Sequence, residues 1–232
     1  RARLHIVDGN LEDARKRLET GLGRMEDADD IDPAEQWEYL YMLAAVEQRA
    51  GNYDAGHSLN TKMLTLATQI TDASQRTRLI ARSHHVLGLS SYHQDDYTAS
   101  ETHYREALKA YRATEDDKHP DIALILSGLG LALHQQDELN QAKQVLRESI
   151  AVGTVAWGED SPHLTAILNN LAIVLEDLGD LNKAERIYRR LIKIDEAQYG
   201  RQHAMTAMGI ANLGALLVTM KRYDDAETLL KE

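Results

Sequence analysis

The residues best suited to metal chemistry in this sequence are four histidines, His84, His85, His93 and His103. A metal site on a helix needs ligands at positions i and i+4 or at a similarly close spacing. His85 and His93 are eight residues apart, so their side chains point about 80° apart on a helix of roughly 3.6 residues per turn. No nearby carboxylate completes a ligand set. The sequence therefore predicts neither a metal site nor a cofactor.

Two other patterns resemble ligand-binding loops but do not complete them. Residues 26–32 are rich in acids, as in a calcium loop, but lack its central glycine and terminal glutamate. A solvated loop ending in a helix cap at Asp32 explains them better. The glycine pairs of 21–23 and 128–130 lack the third glycine of a nucleotide-binding loop. Since no nucleophile, kinase or phosphate-loop motif occurs either, we predict that the chain is not an enzyme.

The composition narrows the choice of function and fold. The 232 residues include 37 acids and 26 bases, and the net charge of −11 argues against binding a nucleic-acid backbone. No apolar run approaches the roughly 18 residues of a membrane span. The lack of cysteine is typical of a reducing compartment, and we predict a cytoplasmic protein. Three prolines and 14 glycines are too few for the turns of an all-β protein, which leaves a helical one.

Small residues recur in the chain at a constant interval. One position recurs every 42 residues and is held by Gly130, Ala172 and Gly214, and a second, 12 residues later, by Ala142, Ala184 and Ala226. The frame extends towards the N terminus through Gly88 and Ser100, and its interval stretches to 44 residues before them. It predicts one array over residues 1–232, whose first and last units are incomplete. The predicted units are 1–31, 32–74, 75–118, 119–160, 161–202 and 203–232.

Each unit is predicted to form two antiparallel helices. In the fifth unit, apolar residues follow helical periodicity on both sides of Gly179, which suits the left-handed conformation just past a helix end. The same turn position holds Gly9, Gly51, Asp95, Asp137 and Lys221 in the other units. Two residues later comes a large side chain, such as Leu181, that we interpret as a packing anchor. The three prolines, Pro33, Pro120 and Pro162, each begin a first helix.

These units resemble tetratricopeptide repeats. The similarity rests on the paired small positions, on the turn glycine, and on residues 168–172 (Leu-Asn-Asn-Leu-Ala), 183–194 and 199–203. It is greatest with the 42-residue variety typified by kinesin light chain and many bacterial regulatory proteins. The resemblance implies an all-α, right-handed superhelical solenoid of about five and a half repeats. It also implies a concave groove, lined by first helices, that binds a peptide or helix of a partner protein.

The repeat frame assigns residues to this groove. The candidate binding residues are Tyr41, Arg49, Arg82, His85, Tyr92, His93, Ser127, His134, Asn169, Asn170 and Asn212. Asn170 and Asn212 share a slot in which the resembled family uses asparagine to pair with a peptide backbone. Their other interpretation is bonding to neighbouring helix turns. Because the matching slots hold Val86 and Gly128, any row of asparagines is incomplete.

A second candidate cluster combines cationic and aromatic side chains. Arg82, His85, Tyr92 and His93 could receive an acidic segment or a C-terminal carboxylate through charge-assisted hydrogen bonds. The ordinary alternative is a solvated helix surface.

Two other roles stay open from the sequence. The array could be a regulatory or sensory segment of a larger bacterial signalling enzyme or transcription regulator, since arrays like it occur in such proteins. It could also self-associate end to end, because neither terminal unit shows the polar capping helix that closes a solenoid.

Overall fold

A computed structural model describes residues 11–26, 32–113 and 119–231 of the chain. Regular structure in these ranges is helical throughout. The helices are α1 (Leu11–Glu26), α2 (Pro33–Arg49), α3 (Tyr53–Gln69), α4 (Ala73–His93), α5 (Tyr97–Arg112), α6 (Pro120–Gln135), α7 (Leu139–Trp157), a 3-10 helix (Pro162–Leu164) that leads into α8 (Thr165–Asp177), α9 (Leu181–Tyr199), α10 (Ala204–Thr219) and α11 (Tyr223–Lys231).

The chain divides into two compact units, Arg1–Asp116 and Asp117–Glu232. In the first unit, successive helices from α1 to α5 pack against one another. In the second unit, α6 to α11 do the same, and α6 also contacts α8, the next first helix. Short connections between packed neighbours make the pairs antiparallel. None of the described helices is long and apolar enough to cross a lipid bilayer.

The turns between paired helices follow the predicted chemistry. The turn residue has a positive φ at Gly51 (78°), Asp95 (59°), Asp137 (63°), Gly179 (74°) and Lys221 (60°). At Gly179 the next amide, that of Asp180, donates to the carbonyl of Leu175 at 2.8 Å, which closes α8 as in a Schellman motif. The prediction for the turn slot is confirmed at these five positions, whereas Gly9 lies outside the described residues.

The helix starts are also set by local sequence. Pro33, Pro120 and Pro162 each occupy the first turn of a helix, as predicted. The Asp32 carboxylate accepts a hydrogen bond from the amide of Ala34 at 2.9 Å, so its predicted capping role is confirmed. Most of the acidic loop before it, residues 27–31, lies outside the described residues. The cap of α4 is Asp72, so that helix begins two residues before the unit boundary predicted at 75.

Small residues allow close contact within each helix pair. A Cβ atom added at Gly130 would lie 2.5 Å from Cγ of Leu146, on the paired helix α7. At the matching position of the first unit, a Cβ added at Gly88 would lie 2.9 Å from the ring of Tyr104. Ser100 fills the second small position there and donates to the Gly88 carbonyl at 2.8 Å. A larger residue at these sites would force the helices apart.

The large residue after the turn is not a core anchor in every unit. It is the first residue of each second helix, as with Tyr53 in α3 and Tyr223 in α11. Tyr53 is 37% exposed and Tyr223 is 61% exposed, so neither is a core anchor. The first residue of a helix lies at the edge of the packed pair, where the neighbouring helix covers it only in part. The interpretation as a packing anchor is therefore wrong at these positions.

Candidate functional site

The polar groove candidates of the second unit form hydrogen bonds between successive first helices. The amide nitrogen of Asn170 on α8 donates to the hydroxyl of Ser127 on α6 at 3.2 Å. The amide nitrogen of Asn212 on α10 donates to Oδ1 of Asn169 on α8 at 2.8 Å. The frame therefore brings Ser127 and the three asparagines onto one surface that runs across α6, α8 and α10.

The predicted alternative for these asparagines is thus realised, but it does not use up their capacity. An asparagine side chain has two N–H groups and a carbonyl oxygen that can accept two hydrogen bonds. The bonds to Ser127 and Asn169 each use one N–H group. Asn170 and Asn212 are half-buried, so their remaining donor and acceptor groups can reach a ligand on this surface.

His134 lies on the same surface and contacts a carboxylate of the next first helix. Its Nε2 atom is 2.6 Å from Oδ2 of Asp177 on α8. Glu176, which occupies the same repeat position as His134, accepts a hydrogen bond from the Tyr188 hydroxyl at 2.5 Å. Burial raises the pKa of Glu176, and the bond from Tyr188 partly offsets that increase. This end of the surface therefore carries acidic groups and one histidine.

Apolar side chains flank the asparagines. Leu124 on α6 and Met208 on α10 occupy the same frame position as Ala166 on α8, and they are 43% and 48% exposed. A second row, closer to the C-terminal ends of the same helices, contains Leu131 and Ile173, which are half-buried. Amides between two apolar rows can bind the backbone and the side chains of an extended segment at the same time.

The candidates of the first unit are engaged in contacts of their own. The guanidinium of Arg82 bonds to Oε1 of Glu38 at 2.9 Å. Its central carbon lies 4.5 Å from the ring centre of Trp37 and 5.0 Å from that of Tyr41. The charge of Arg82 and the two aromatic rings are therefore both engaged in contacts within the unit. Arg49, at the exposed end of α2, is the remaining candidate on that helix.

The four residues of the predicted cluster around Arg82 do not form one cluster in the structure. The ring centre of His85 is 6.1 Å from that of Tyr104 on α5. The ring of His93 stacks on Tyr53 with centres 5.1 Å apart, and Tyr92 meets His93 edge-on at 6.0 Å. The structure thus brings Tyr92 and His93 together, whereas Arg82 lies on the rings of α2.

The histidine pair that the structure brings together is not the one considered from the sequence. The Nδ1 atoms of His84 on α4 and His103 on α5 are 3.1 Å apart. Burial lowers the pKa of both side chains, and for His103 the nearby His84 and His57 lower it further. Across the described residues, no three histidines or carboxylates come together as metal ligands.

A pocket that the sequence analysis missed lies beside the asparagines. Its volume is about 230 Å³, and it is lined by Thr165, Ala166, Asn169, Asn170, Leu191, Asp195, Met205, Met208 and Gly209. Asp195 on α9 is 1% exposed, and its Oδ1 atom has no hydrogen-bond partner. Burial raises the pKa of Asp195. Its position on the apolar stripe of α9, after Tyr188, Leu191 and Ile192, is the sequence signal that could have found it.

Two histidines cap the first helices of their repeats. Nδ1 of His119 accepts a hydrogen bond from the amide of Asp121 at 3.2 Å, and Nδ1 of His203 accepts one from the amide of Met205 at 3.3 Å. Both histidines therefore begin first helices.

Solved structures share this architecture. The crystal structure of BtubC (BKLC) from P. vanneervenii matches with a TM-score of 0.84 at 20% identity, over 97% of this chain and 89% of that one. A putative kinesin light chain of Podosopora anserina with nearly identical TPR-like repeats matches with 0.74 at 14% identity, over 87% and 94%. The apo form of RapI matches with 0.71 at 13% identity, over 93% and 80%. The predicted fold class, an all-α solenoid of helix pairs, is confirmed.

The sequence comparisons agree with the fold. A family model described as tetratricopeptide repeat matches residues 79–153 and 164–232, which together are more than half of the chain. No curated protein matches the chain. Tetratricopeptide repeats generally mediate protein–protein interactions, and their fold is typically a non-enzymatic scaffold. The chain belongs to the tetratricopeptide repeat family.

Proposed function

We propose that this protein is a non-catalytic interaction module that binds a segment of a partner protein on the first helices of its second unit. The segment is a peptide or a helix, and it lies along α6, α8 and α10. The observation that carries the proposal is the placement of half-buried Asn170 and Asn212 between exposed apolar side chains such as Leu124 and Met208.

The side-chain amides would provide affinity that is independent of the bound sequence. An asparagine can donate to a backbone carbonyl and accept from a backbone N–H group of the same peptide. The bonds to Ser127 and Asn169 hold the amides in a fixed orientation before the ligand arrives. Less conformational entropy is then lost on binding.

The apolar rows would provide the hydrophobic part of the affinity. Leu124 and Met208 expose apolar surface that a ligand would remove from water, at roughly 25 cal/mol per Å². The unbranched side chain of Met208 can adapt to different ligand shapes. This combination suits a segment with apolar side chains on one face.

Selection of random linear peptides against the immobilised full chain tests the proposal. Peptides that are enriched are synthesised, and their dissociation constants are measured by fluorescence anisotropy. The double substitution Asn170→Ala and Asn212→Ala should weaken binding about tenfold, the effect of losing one or two net hydrogen bonds.

The chain offers a matched control for this experiment. Asn140 and Asn182 are also 42 residues apart, but they are exposed on the second helices α7 and α9. Substituting both by alanine should leave the affinity unchanged. Equal affinities for both double variants and the original chain would show that the groove assignment is wrong.

Two further expectations accompany this proposal. A cytoplasmic location is one, and fractionation of the source cells tests it.

Self-association is the other, supported by exposed apolar side chains of α10 and α11, namely Val218, Tyr223 and Leu230. Sedimentation velocity at increasing concentration should then show a dimer, and a strict monomer would remove that role. A regulatory segment of a larger signalling enzyme or transcription regulator would use the same groove.

A further inference from the structure

We propose that the pocket around Asp195 receives a basic side chain, lysine or arginine, of the segment bound on α8 and α10. The inference rests on the proposed function and deepens it, because it names the residue type that the groove selects. Asp195 acts as the counter-charge at the base of the pocket. Asn169 and Asn170 also line the pocket and would hold the adjoining backbone.

The state of Asp195 is the first support for this assignment. The side chain is 1% exposed, and its Oδ1 atom has no hydrogen-bond partner in the protein. The neighbouring hydroxyl of Thr165 has a single hydrogen, which it donates to the carbonyl of Pro162 at 2.9 Å. A carboxylate that is removed from water without a full set of partners destabilises the free protein. A cationic ligand would supply the missing partner.

The shape and lining of the pocket are the second support. Its volume is about 230 Å³, which suits one side chain rather than a larger ligand. Leu191, Met205 and Met208 provide apolar walls against which the methylene stem of a basic residue can pack. A Cβ added at Gly209 would lie 2.6 Å from Cδ1 of Leu191, so the glycine allows α10 to lie close to α9.

The lining also discriminates against other ligands. A carboxylate or phosphate would meet the buried charge of Asp195 and be repelled. A neutral apolar side chain would fill the space but leave Oδ1 unpaired. A metal ion would find a single carboxylate, because the described residues bring no three histidines or carboxylates together.

Methionine methyl groups offer a direct way to observe this pocket. The six methionines of the chain include Met205 and Met208 in the pocket wall. Met42 and Met63 in the first unit, with Met25 and Met220, are internal controls. The full chain, labelled at the methionine methyl groups, is titrated with N-acetyl-arginine methylamide or N-acetyl-lysine methylamide. The uncharged analogue N-acetyl-citrulline methylamide is the control ligand.

The charged probes should shift the Met205 and Met208 signals in a saturable manner, whereas citrulline should not. In the variant Asp195→Asn the response should fall at least tenfold, because the counter-charge is removed while the shape is retained. The variant Asp160→Asn removes an exposed charge from the same unit and should respond like the original chain. Equal responses to arginine and citrulline, or an unchanged response in Asp195→Asn, would overturn the proposal.

The peptide selection separates this inference from the proposed function. If both are right, the enriched peptides share a basic residue, and Asp195→Asn weakens their binding at least tenfold. If peptides bind through Asn170 and Asn212 without a basic residue and without dependence on Asp195, only the inference fails. If no peptide binds and the methyl signals still respond to arginine through Asp195, the pocket is right and the groove proposal is wrong. Circular dichroism of Asp195→Asn confirms that its loss of response is not a loss of folding.

Discussion

The first helices of the two compact units follow one repeat frame but carry different surface chemistry. In the first unit, Arg82 is paired with Glu38 and packed on the rings of Trp37 and Tyr41. In the second unit, the matching surface carries Asn170 and Asn212, whose bonds leave donors and acceptors for a ligand. The frame thus determines where a side chain lies, and the residue type decides whether its interactions stay within the protein.

Replacing the aromatic platform of the first unit should have the largest effect on stability. Trp37 is fully buried, and its indole N–H donates to the Ser83 hydroxyl at 2.9 Å. Trp37→Ala should lower the free energy of unfolding by about 3–5 kcal/mol. Urea denaturation followed by circular dichroism measures this change. Trp157, the other tryptophan, reports separately on the second unit by fluorescence.

Tyr53→Ala is the control for that substitution, since Tyr53 is an exposed aromatic of the same unit. Its effect should be clearly smaller than that of Trp37→Ala. Equal losses for the two variants would show that the buried ring does not organise the first unit.

Removing the arginine of the first unit should affect stability but not peptide binding. Arg82→Ala loses the contact with two rings and an ion pair that is partly exposed, and should cost about 1 kcal/mol of unfolding free energy. Affinity for peptides selected on the full chain should stay within twofold of the original, because the proposed groove is in the second unit. A tenfold weakening in anisotropy measurements would break the contrast between the units.

The buried acid of the second unit should make the opposite contribution to stability. Asp195→Asn should raise the free energy of unfolding at pH 7 by about 1 kcal/mol, because it removes a buried charge whose oxygen lacks a partner. Burial raises the pKa of Asp195, while the nearby Thr165 hydroxyl and His203 oppose the increase.

The pH dependence of that gain follows from the direction of the shift. A raised pKa favours the protonated form of Asp195 in the folded state of the original chain. Protonation therefore stabilises the original chain fully below the ordinary pKa of aspartate, and this stabilisation is lost as the pH rises through the raised pKa. The advantage of Asp195→Asn should therefore shrink as the pH falls from 7 towards about 4. Urea midpoints at several pH values measure it, and an advantage that grows on acidification contradicts the assignment.

The histidine pair of the first unit should have the smallest effect on stability. On acidification it should destabilise the protein, whereas protonation of Asp195 stabilises it. Burial lowers the pKa of His84 and His103, so their neutral forms are favoured in the folded state. Stability should fall as the pH drops through the ordinary histidine value of about 6.5. Glu106 beside His84 and Asp96 beside His103 favour the charged forms and limit the loss.

Comparing the original chain with His103→Gln at pH 7.5 and 5.5 measures this contribution, which should be at most about 1 kcal/mol. Identical pH profiles for the two proteins would show that the contact between the two Nδ1 atoms does not affect folding.

The fold could be predicted from the sequence because its signals are local. The turn at Gly179, the cap at Asp32 and the prolines at the helix starts each act within a few residues of the backbone. The constant interval of 42 residues then repeats the same unit along the chain. The matching positions of Asn170 and Asn212 on their first helices followed from that interval as well.

The tertiary structure decided how side chains from different repeats meet. The bond from Asn212 to Asn169 joins residues 43 apart, and the pocket of Asp195 needs α8, α9 and α10 together. The 37% exposure of Tyr53 likewise depends on how the neighbouring helices pack around it. Periodicity places a residue on a face of its own helix, but burial and pairing depend on the distance to other helices. That distance is set by the packing of all the side chains between them.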